Sequence, residues 1–117
     1  MAEDEYAATV AVTTRGGVRI VRPEGDLDDE SSPVVERALA DAVAGDAVRT
    51  VVDLSRTRFA DSSALHALLE AQRAHAAAGR ELVLAGPFST AVRRLFEVTG
   101  TESLIRMSDD LESALTC

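Results

Sequence analysis

The chain has 117 residues, a length that predicts one domain, and 46% of them are hydrophobic, which is too many for a disordered chain. Its net charge of −8 and its aromatic content of 3% weigh against nucleic acid, because phosphates bind lysine and arginine and bases stack on aromatic rings. The same charge weighs against anionic lipid, and no apolar run approaches the length of a membrane span. We therefore expect neither a nucleic acid nor a membrane partner.

The two ends of the chain give further expectations. The opening "MAEDEY" is acidic, unlike the charged and then apolar start of a signal peptide, and residues 1–6 are expected to form a flexible tail. The single cysteine, Cys117, has no partner for an intrachain disulfide, and no CxxC pattern suggests structural zinc. We expect a cytoplasmic protein, a monomer or a weak dimer.

The first half of the chain predicts a β-hairpin followed by a helix. Strands are predicted over 6–15 and 18–25, joined by a tight turn at Gly16 and Gly17. After "GDLDDE", Ser32 followed by Pro33 predicts a helix start, with the serine as the cap. Apolar residues at helical spacing follow: Val35, Ala38, Leu39, Ala42 and Val43. Gly45 is expected to end this helix.

The middle of the chain predicts a buried strand and a second helix. The stretch "VRTVVDLS" has adjacent valines and little alternation, which is typical of a strand covered on both faces. "RFADSSALHALL" follows, with an acid and two hydroxyls in front of a helical pattern that ends at Gly79. The face predicted to be buried contains Leu65, Leu68, Leu69, Gln72 and Ala76.

The last third predicts two more strands and two more helices. "ELVLAG" is an apolar strand, and "STAVRRLFEVTG" is a helix with Ser89 as cap and Gly100 as stop. "SLIRM" predicts a short strand, and Ser108 is expected to cap a final helix. The predicted order is therefore β-β-α-β-α-β-α-β-α. It indicates a single α/β domain with a mixed, mostly parallel sheet of about five strands.

Two polar loops are expected at the edge of the sheet where ligands usually bind. In open α/β sheets this edge is formed by the carboxyl ends of the strands. "LSRTRFADSS" follows the buried strand, and "PEGDLDD" follows the second strand of the hairpin. The second loop lies at the same edge only if that strand runs parallel to the buried one, as a helical connection between them predicts.

Ser62 and Ser63 stand at the start of the second helix and allow two interpretations. Asp61 or Ser62 could simply cap the helix, which stabilises it by about 1 kcal/mol. Alternatively, one serine could accept a phosphate, since a helix N-terminus favours negative charge. A phosphate would add roughly −1.5 to −2 charge at pH 7 and leave the fold intact. Capping and phosphate acceptance are compatible.

The acidic run from Asp26 to Glu30 also allows two interpretations. It could be a solvated turn that leads into a helix, where carboxylates are favoured. Alternatively Asp28 could lie beside Ser62, where it would orient the hydroxyl or meet a basic group of a partner.

Catalysis and metal binding are not expected. His66 and His75 lie on one predicted helix without a third ligand. Ser62 has no GxSxG elbow, and Asp61, Ser62 and His66 are too close in sequence to adopt triad geometry. No phosphate-cradling or dinucleotide-binding glycine motif occurs, so no cofactor is expected.

Three motifs in this order resemble the STAS domain, in particular the bacterial anti-sigma factor antagonists. They are "GDLD" at 25–28, "VVDLSRTRFADSSALHAL" at 51–68 and "STAVRRLFEVTG" at 89–100. The resemblance covers nearly the whole chain, 1–117. It implies a protein that, when unphosphorylated, binds an anti-sigma factor that is also a GHKL-type serine kinase, and so frees the sigma factor. Phosphorylation by that kinase would end binding, and a PP2C-like phosphatase would restore it.

The same resemblance implies roles for particular residues. Ser62, directly after Asp61, matches the phospho-acceptor, with Ser63 as the alternative, and Asp28 matches the acidic loop residue near it. The partner-binding surface would comprise Asp28, Asp61, Ser62, Ser63 and Ala64. Ala64 departs from the family, which usually has glycine there, and its methyl is expected to narrow the approach of a kinase. Two other readings stay open: an unphosphorylated STAS scaffold in a signalling assembly, and a STAS module that binds a nucleotide or lipid.

Overall fold

The structure is a computed structural model that describes residues 9–116. These residues form six strands and four helices. The strands are β1 (Thr9–Arg15), β2 (Val18–Leu27), β3 (Arg49–Asp53), β4 (Thr57–Ala60), β5 (Glu81–Ala85) and β6 (Arg106–Ser108). The helices are α1 (Ser32–Ala44), α2 (Ser62–Ala77), α3 (Thr90–Thr99) and α4 (Leu111–Thr116). The tail expected at 1–6, the start of the first predicted strand and Cys117 lie outside the described residues.

The sheet is mixed and mostly parallel, so the predicted fold class is confirmed. Its strand order is β1-β2-β3-β5-β6, and β1 pairs antiparallel with β2. β2, β3, β5 and β6 run parallel to one another. The turn between β1 and β2 has positive φ angles at Gly16 and Gly17, as the predicted hairpin requires. Because β2 is parallel to β3, the loops that follow these strands lie at the same edge of the sheet.

A sixth strand, β4, lies where a polar loop was expected. β3 pairs with the first part of β2, and β4 pairs in parallel with its last part, with Leu27 opposite Ala60. The chain leaves the sheet after Leu54 and returns at Thr57, whose hydroxyl donates to the carbonyl of Pro23 at 3.0 Å. The segment that carries Asp61 and Ser62 is therefore attached to β2.

The two faces of the sheet are covered differently. α1, α2 and α3 pack on one face, where Val35, Leu39, Leu68 and Phe96 join the central strands in the main core. The other face carries the short α4, with Ala114 fully buried against Val18, Ile20 and neighbouring valines. Val51 and Val52 are completely buried on opposite faces of β3, as the valine pair predicts.

Most helix ends follow the sequence, and two differ from it. Ser89 accepts a hydrogen bond from the backbone N–H of Val92, and Gly100 ends α3 with a φ of 68°, both as predicted. Ser32 is not the cap of α1, because helical residues begin with it and Ser31 precedes it as N-cap. Ser108 belongs to β6, and Asp110 instead accepts a bond from the N–H of Ser113 at the start of α4.

The buried face of α2 is rotated from the predicted one. Leu65 and Leu68 are buried as expected, but Ala76 is exposed. The buried face instead includes Ala64, Ala67, Ala71 and His75. His75 is fully buried because both ring nitrogens find partners: Nδ1 lies 2.7 Å from the carbonyl of Ala71 and Nε2 lies 2.9 Å from the hydroxyl of Thr50. Burial lowers the pKa of His75, so its neutral form is favoured at neutral pH.

Candidate functional site

The N-terminal ends of α1 and α2 meet at the carboxyl edge of the sheet. The hydroxyl oxygens of Ser32 and Ser63 lie 3.5 Å apart, and the backbone N–H of Asp61 donates to the carbonyl of Leu27 at 3.0 Å. The loop after β2 and the segment after β4 are thus in direct contact. The first backbone N–H groups of both helices face this place, and they favour negative charge there.

Asp61 caps α2. One of its carboxylate oxygens accepts bonds from the backbone N–H groups of Ser63 at 2.9 Å and Ala64 at 3.2 Å. The same oxygen accepts the hydroxyl of Ser63 at 2.6 Å. This hydroxyl bond and the two backbone bonds stabilise the carboxylate and hold the pKa of Asp61 below its usual range. Asp61 is therefore charged at neutral pH.

Ser62 is the first residue of α2 and is exposed. Within residues 9–116 its hydroxyl has no hydrogen-bond partner, whereas the hydroxyls of Ser31, Ser32 and Ser63 each have at least one. The cap is Asp61, so Ser62 is not needed for that role. An exposed hydroxyl with no partner is the group at this edge that a modifying enzyme can reach most directly.

Ser63 is held differently from its neighbour. It is half-buried, and its hydroxyl donates to Asp61 while also lying 3.5 Å from the hydroxyl of Ser32. A transferred phosphate would have to displace the bond to Asp61. It would also introduce charge beside the buried Ser32, which is only 3% exposed.

Ala64 faces the core. It is 3% exposed and belongs to the main core cluster, while its backbone N–H donates to Asp61. Its methyl group therefore does not narrow the approach to Ser62, contrary to what the sequence suggested. The side chain of Ala64 packs in the core beneath the start of α2 and offers no surface to a partner.

Asp28 organises the loop that precedes α1. Its carboxylate accepts the N–H groups of Glu30 and Ser31 and the hydroxyl of Ser31, each at 3.1 Å. Its carbonyl accepts the hydroxyl of Ser32 at 2.7 Å. Asp28 thus lies near the tip of α2 through Ser32, but its carboxylate does not orient the hydroxyl of Ser62.

The surrounding charges are partly paired, which the sequence did not reveal. Arg58 in β4 lies 3.3 Å from Asp26, and Arg56 lies 3.8 Å from Glu24 in β2. These pairs are exposed and contribute little stability. The other acids of this loop, Asp28, Asp29 and Glu30, have no cationic partner within the described part of the chain.

The structure gives no reason to assign a metal site to the histidines. Within residues 9–116, no three His, Cys, Asp or Glu side chains are grouped so that they could hold a metal ion. His66 is exposed and lies 3.9 Å from Glu70 on the same helix, while His75 is enclosed in the core. Every helix in that part of the chain is shorter or less apolar than a membrane span requires.

The mixed sheet, with its antiparallel first strand and helices on both faces, is the architecture of a known class of protein. The family model of the STAS domain matches residues 9–114, and the chain belongs to that family.

The similar solved structures place it more closely. An anti-sigma factor antagonist from Mycobacterium paratuberculosis is 26% identical, covers 96% of this chain and 94% of its own, and has a TM-score of 0.86. The anti-sigma factor antagonist SpoIIAA in its unphosphorylated form is 24% identical over 93% of each chain, with a TM-score of 0.73. The phosphorylated form of SpoIIAA, the Bacillus cell fate determinant, is 22% identical, covers 93% of this chain and 96% of its own, and has a TM-score of 0.67. The chain thus has the fold of anti-sigma factor antagonists.

Proposed function

We propose that this protein is an anti-sigma factor antagonist controlled by phosphorylation of Ser62. The unphosphorylated form binds an anti-sigma factor that is also a GHKL-type serine kinase, and this releases the sigma factor. Phosphorylation switches binding off. The observation that carries the proposal is the state of Ser62: it is exposed, it starts a helix next to the capping Asp61, and within residues 9–116 its hydroxyl is unbonded.

The switch is electrostatic. A phosphate on Ser62 adds roughly −1.5 to −2 charge at neutral pH, beside the ionised Asp61 and near Asp28. The helix N-terminus tolerates this charge, so the domain stays folded. A partner surface that is complementary to the unmodified site meets repulsion and steric bulk instead, which can cost several kcal/mol. Docking is therefore lost with little change in the shape of the antagonist.

Ser62 is favoured over Ser63 as the acceptor because their hydroxyls differ. The Ser63 hydroxyl donates to Asp61 at 2.6 Å and is half-buried, while that of Ser62 is free to meet a kinase. We include Asp61 and Ser63 in the partner surface because they flank Ser62, and Asp28 because it bonds Ser32, whose hydroxyl lies 3.5 Å from that of Ser63. Ala64 holds the tip from the core side.

The remaining partners follow from the switch. A PP2C-like phosphatase removes the phosphate and returns the antagonist to its binding form. The protein has no catalysis of its own and acts in the cytoplasm, where sigma factors work. It needs no cofactor, because ATP is bound by the kinase.

The direct test incubates the chain with its partner kinase and ATP and measures intact mass. Wild type should gain the mass of one phosphate, Ser63→Ala should gain it as well, and Ser62→Ala should gain none while still binding the kinase. Ser62→Asp should bind the kinase at least about tenfold more weakly, which is roughly 1.4 kcal/mol. Full modification of Ser62→Ala at Ser63 would overturn the choice of acceptor. No mass gain in wild type would favour an unphosphorylated scaffold.

A further inference from the structure

A groove runs between α1 and α2 on the outer surface of the protein. Its volume is about 370 Å³, at the lower end of the range for ligand pockets. Leu39, Ala67 and Ala71 are buried and form the floor, while Ala40 and Ala74 are exposed on the two sides. The groove exists because four of its nine lining residues are alanines, and their methyl groups leave part of the space between the helices unfilled.

The groove begins next to the serine site. Glu36 lies four residues after Ser32, and His66 lies four residues after Ser62, so both are about one helical turn from the tips. At the far end, the Arg80 guanidinium donates to the carbonyls of Val43, at 3.0 Å, and Gly45. These two bonds fix the end of α1 to the loop after α2. The walls of the groove are therefore held in place relative to each other.

The charge of the groove selects a type of occupant. Glu36, on the α1 wall, forms no ion pair with any residue between 9 and 116, whereas Glu70 on the α2 wall lies 2.8 Å from Arg73 and 3.9 Å from His66. The whole chain carries a net charge of −8. An apolar floor beside an unpaired carboxylate disfavours phosphate and anionic lipid. It favours an apolar side chain flanked by lysine or arginine.

We propose that this groove is a docking site for a basic, amphipathic segment of the kinase. An apolar side chain of that segment would lie on Leu39, Ala67 and Ala71, and a neighbouring cation would pair with Glu36. This inference rests on the function proposed above and adds a second contact to it. Helix-in-groove recognition of this kind uses apolar anchors with charged flanks. The groove contact holds the kinase beside Ser62 without touching the reacting hydroxyl.

Such a contact has a defined kinetic signature. It is the same before and during phosphate transfer, so its loss raises KM and leaves kcat unchanged. In steady-state phosphorylation, Glu36→Lys should raise the KM for this protein about tenfold, with kcat within about twofold of wild type. The matched control is Asp41→Lys, which makes the same charge change on α1 but does not line the groove. Its KM should stay within about twofold of wild type.

A second pair of variants tests the shape of the groove. Ala74→Trp fills the groove from an exposed position on α2, and should raise KM as Glu36→Lys does. Ala76→Trp, also exposed on α2 but on its other side, is the control and should leave KM unchanged. Circular dichroism checks that all four variants are folded before their KM values are compared. The proposal is overturned if the groove variants and their controls give equal KM values.

A third measurement separates this proposal from the function it rests on. A helical peptide of leucine, alanine and lysine is titrated into the ¹⁵N-labelled protein, and a peptide with glutamate in place of lysine is the comparison. The lysine peptide should shift the amide signals of Leu39, Ala67 and Ala71, and the glutamate peptide should not.

If no kinase modifies Ser62 but these shifts occur, the proposed function fails and the groove is a docking site for another basic partner. If no kinase modifies Ser62 and the shifts are absent or lie elsewhere, both proposals fail. When a kinase does modify Ser62, the KM values decide.

Discussion

The tips of α1 and α2 look alike in the sequence and differ in the structure. Each has an aspartate followed by a pair of serines: Asp28 before Ser31 and Ser32, and Asp61 before Ser62 and Ser63. At α1 both serines are buried, at 5% and 3% exposure, and both hydroxyls are bonded. At α2 the aspartate holds only the second serine, and the first is exposed.

The difference shows that spacing from the aspartate decides which hydroxyl is free. Asp61 directly precedes its serines, so its carboxylate accepts bonds from the N–H and the hydroxyl of Ser63. It accepts none from the hydroxyl of Ser62. Asp28 lies three residues before Ser31, so its carboxylate accepts the hydroxyl of Ser31. Its backbone carbonyl accepts the hydroxyl of Ser32. Of these two similar motifs, only the one at α2 presents an unbonded hydroxyl at the surface.

The largest expected effect comes from placing a carboxylate at each tip. Ser32→Asp buries a charge where the serine hydroxyl now donates to the carbonyl of Asp28, and should lower the free energy of unfolding by about 3 kcal/mol or more. Ser62→Asp places the same charge at an exposed helix start, and should change it by less than about 0.5 kcal/mol. Urea denaturation followed by circular dichroism measures both. If Ser32→Asp and Ser62→Asp lowered the free energy of unfolding equally, the two helix tips would not differ in how they accept a charge.

A smaller effect is expected when the cap of α2 is removed. Asp61→Ala should lower the free energy of unfolding by about 1–2 kcal/mol at neutral pH. Because the pKa of folded Asp61 lies below its unfolded value of about 3.9, this contribution is complete above that pH and is lost as pH falls through the folded pKa.

Urea denaturation over a pH series measures this dependence. The difference between Asp61→Ala and wild type should therefore shrink in acid, below about pH 4. Asp29→Ala, which removes an exposed carboxylate that makes no hydrogen bond within residues 9–116, is the control and should change the free energy of unfolding at neutral pH by less than about 0.5 kcal/mol. A constant difference across the pH range would show that the Asp61 carboxylate is not what stabilises the helix start.

The smallest effect sharpens the contrast within α2. Ser63→Ala removes the hydroxyl bond to Asp61 and should cost about 1 kcal/mol, while Ser62→Ala removes no bond and should cost less than about 0.5 kcal/mol. The Asp61 carboxyl should titrate closer to its ordinary pKa in Ser63→Ala, which carboxyl NMR can follow. An identical titration in both variants would contradict the assigned role of Ser63.

Local patterns were enough to predict most of the fold. The glycine pair between β1 and β2, the valine pair of β3, and the serine and glycine at the ends of α3 act through nearby backbone, so the sequence shows them directly. β4 could not be predicted in this way. Its residues alternate poorly and include Arg58, and among the strands of residues 9–116 it pairs with the end of β2, about thirty residues earlier.

The start of α2 was predicted in its position but not in its bonding. The sequence placed Ser62 and Ser63 at a helix start, left the cap open between Asp61 and Ser62, and wrongly made Ser32 the cap of α1. The hydroxyl of Ser63 is bonded to Asp61 nearby, and its second contact, the hydroxyl of Ser32, is brought to α2 only by the fold. The burial of His75 was not predicted for a similar reason: its partner Thr50 lies in a different element and is brought to it only by the fold.

The attachment of β4 to β2 has a mechanical consequence for the serine site. The N–H of Asp61 is bonded to the carbonyl of Leu27, the residue directly before Asp28. The loop that carries Asp28 and the start of α2 that carries Ser62 are therefore joined by a main-chain bond, which every replacement of Asp61 except proline leaves in place. Under the proposed switch, a kinase and a phosphatase would therefore meet Ser62 in the same position relative to the loop of Asp28.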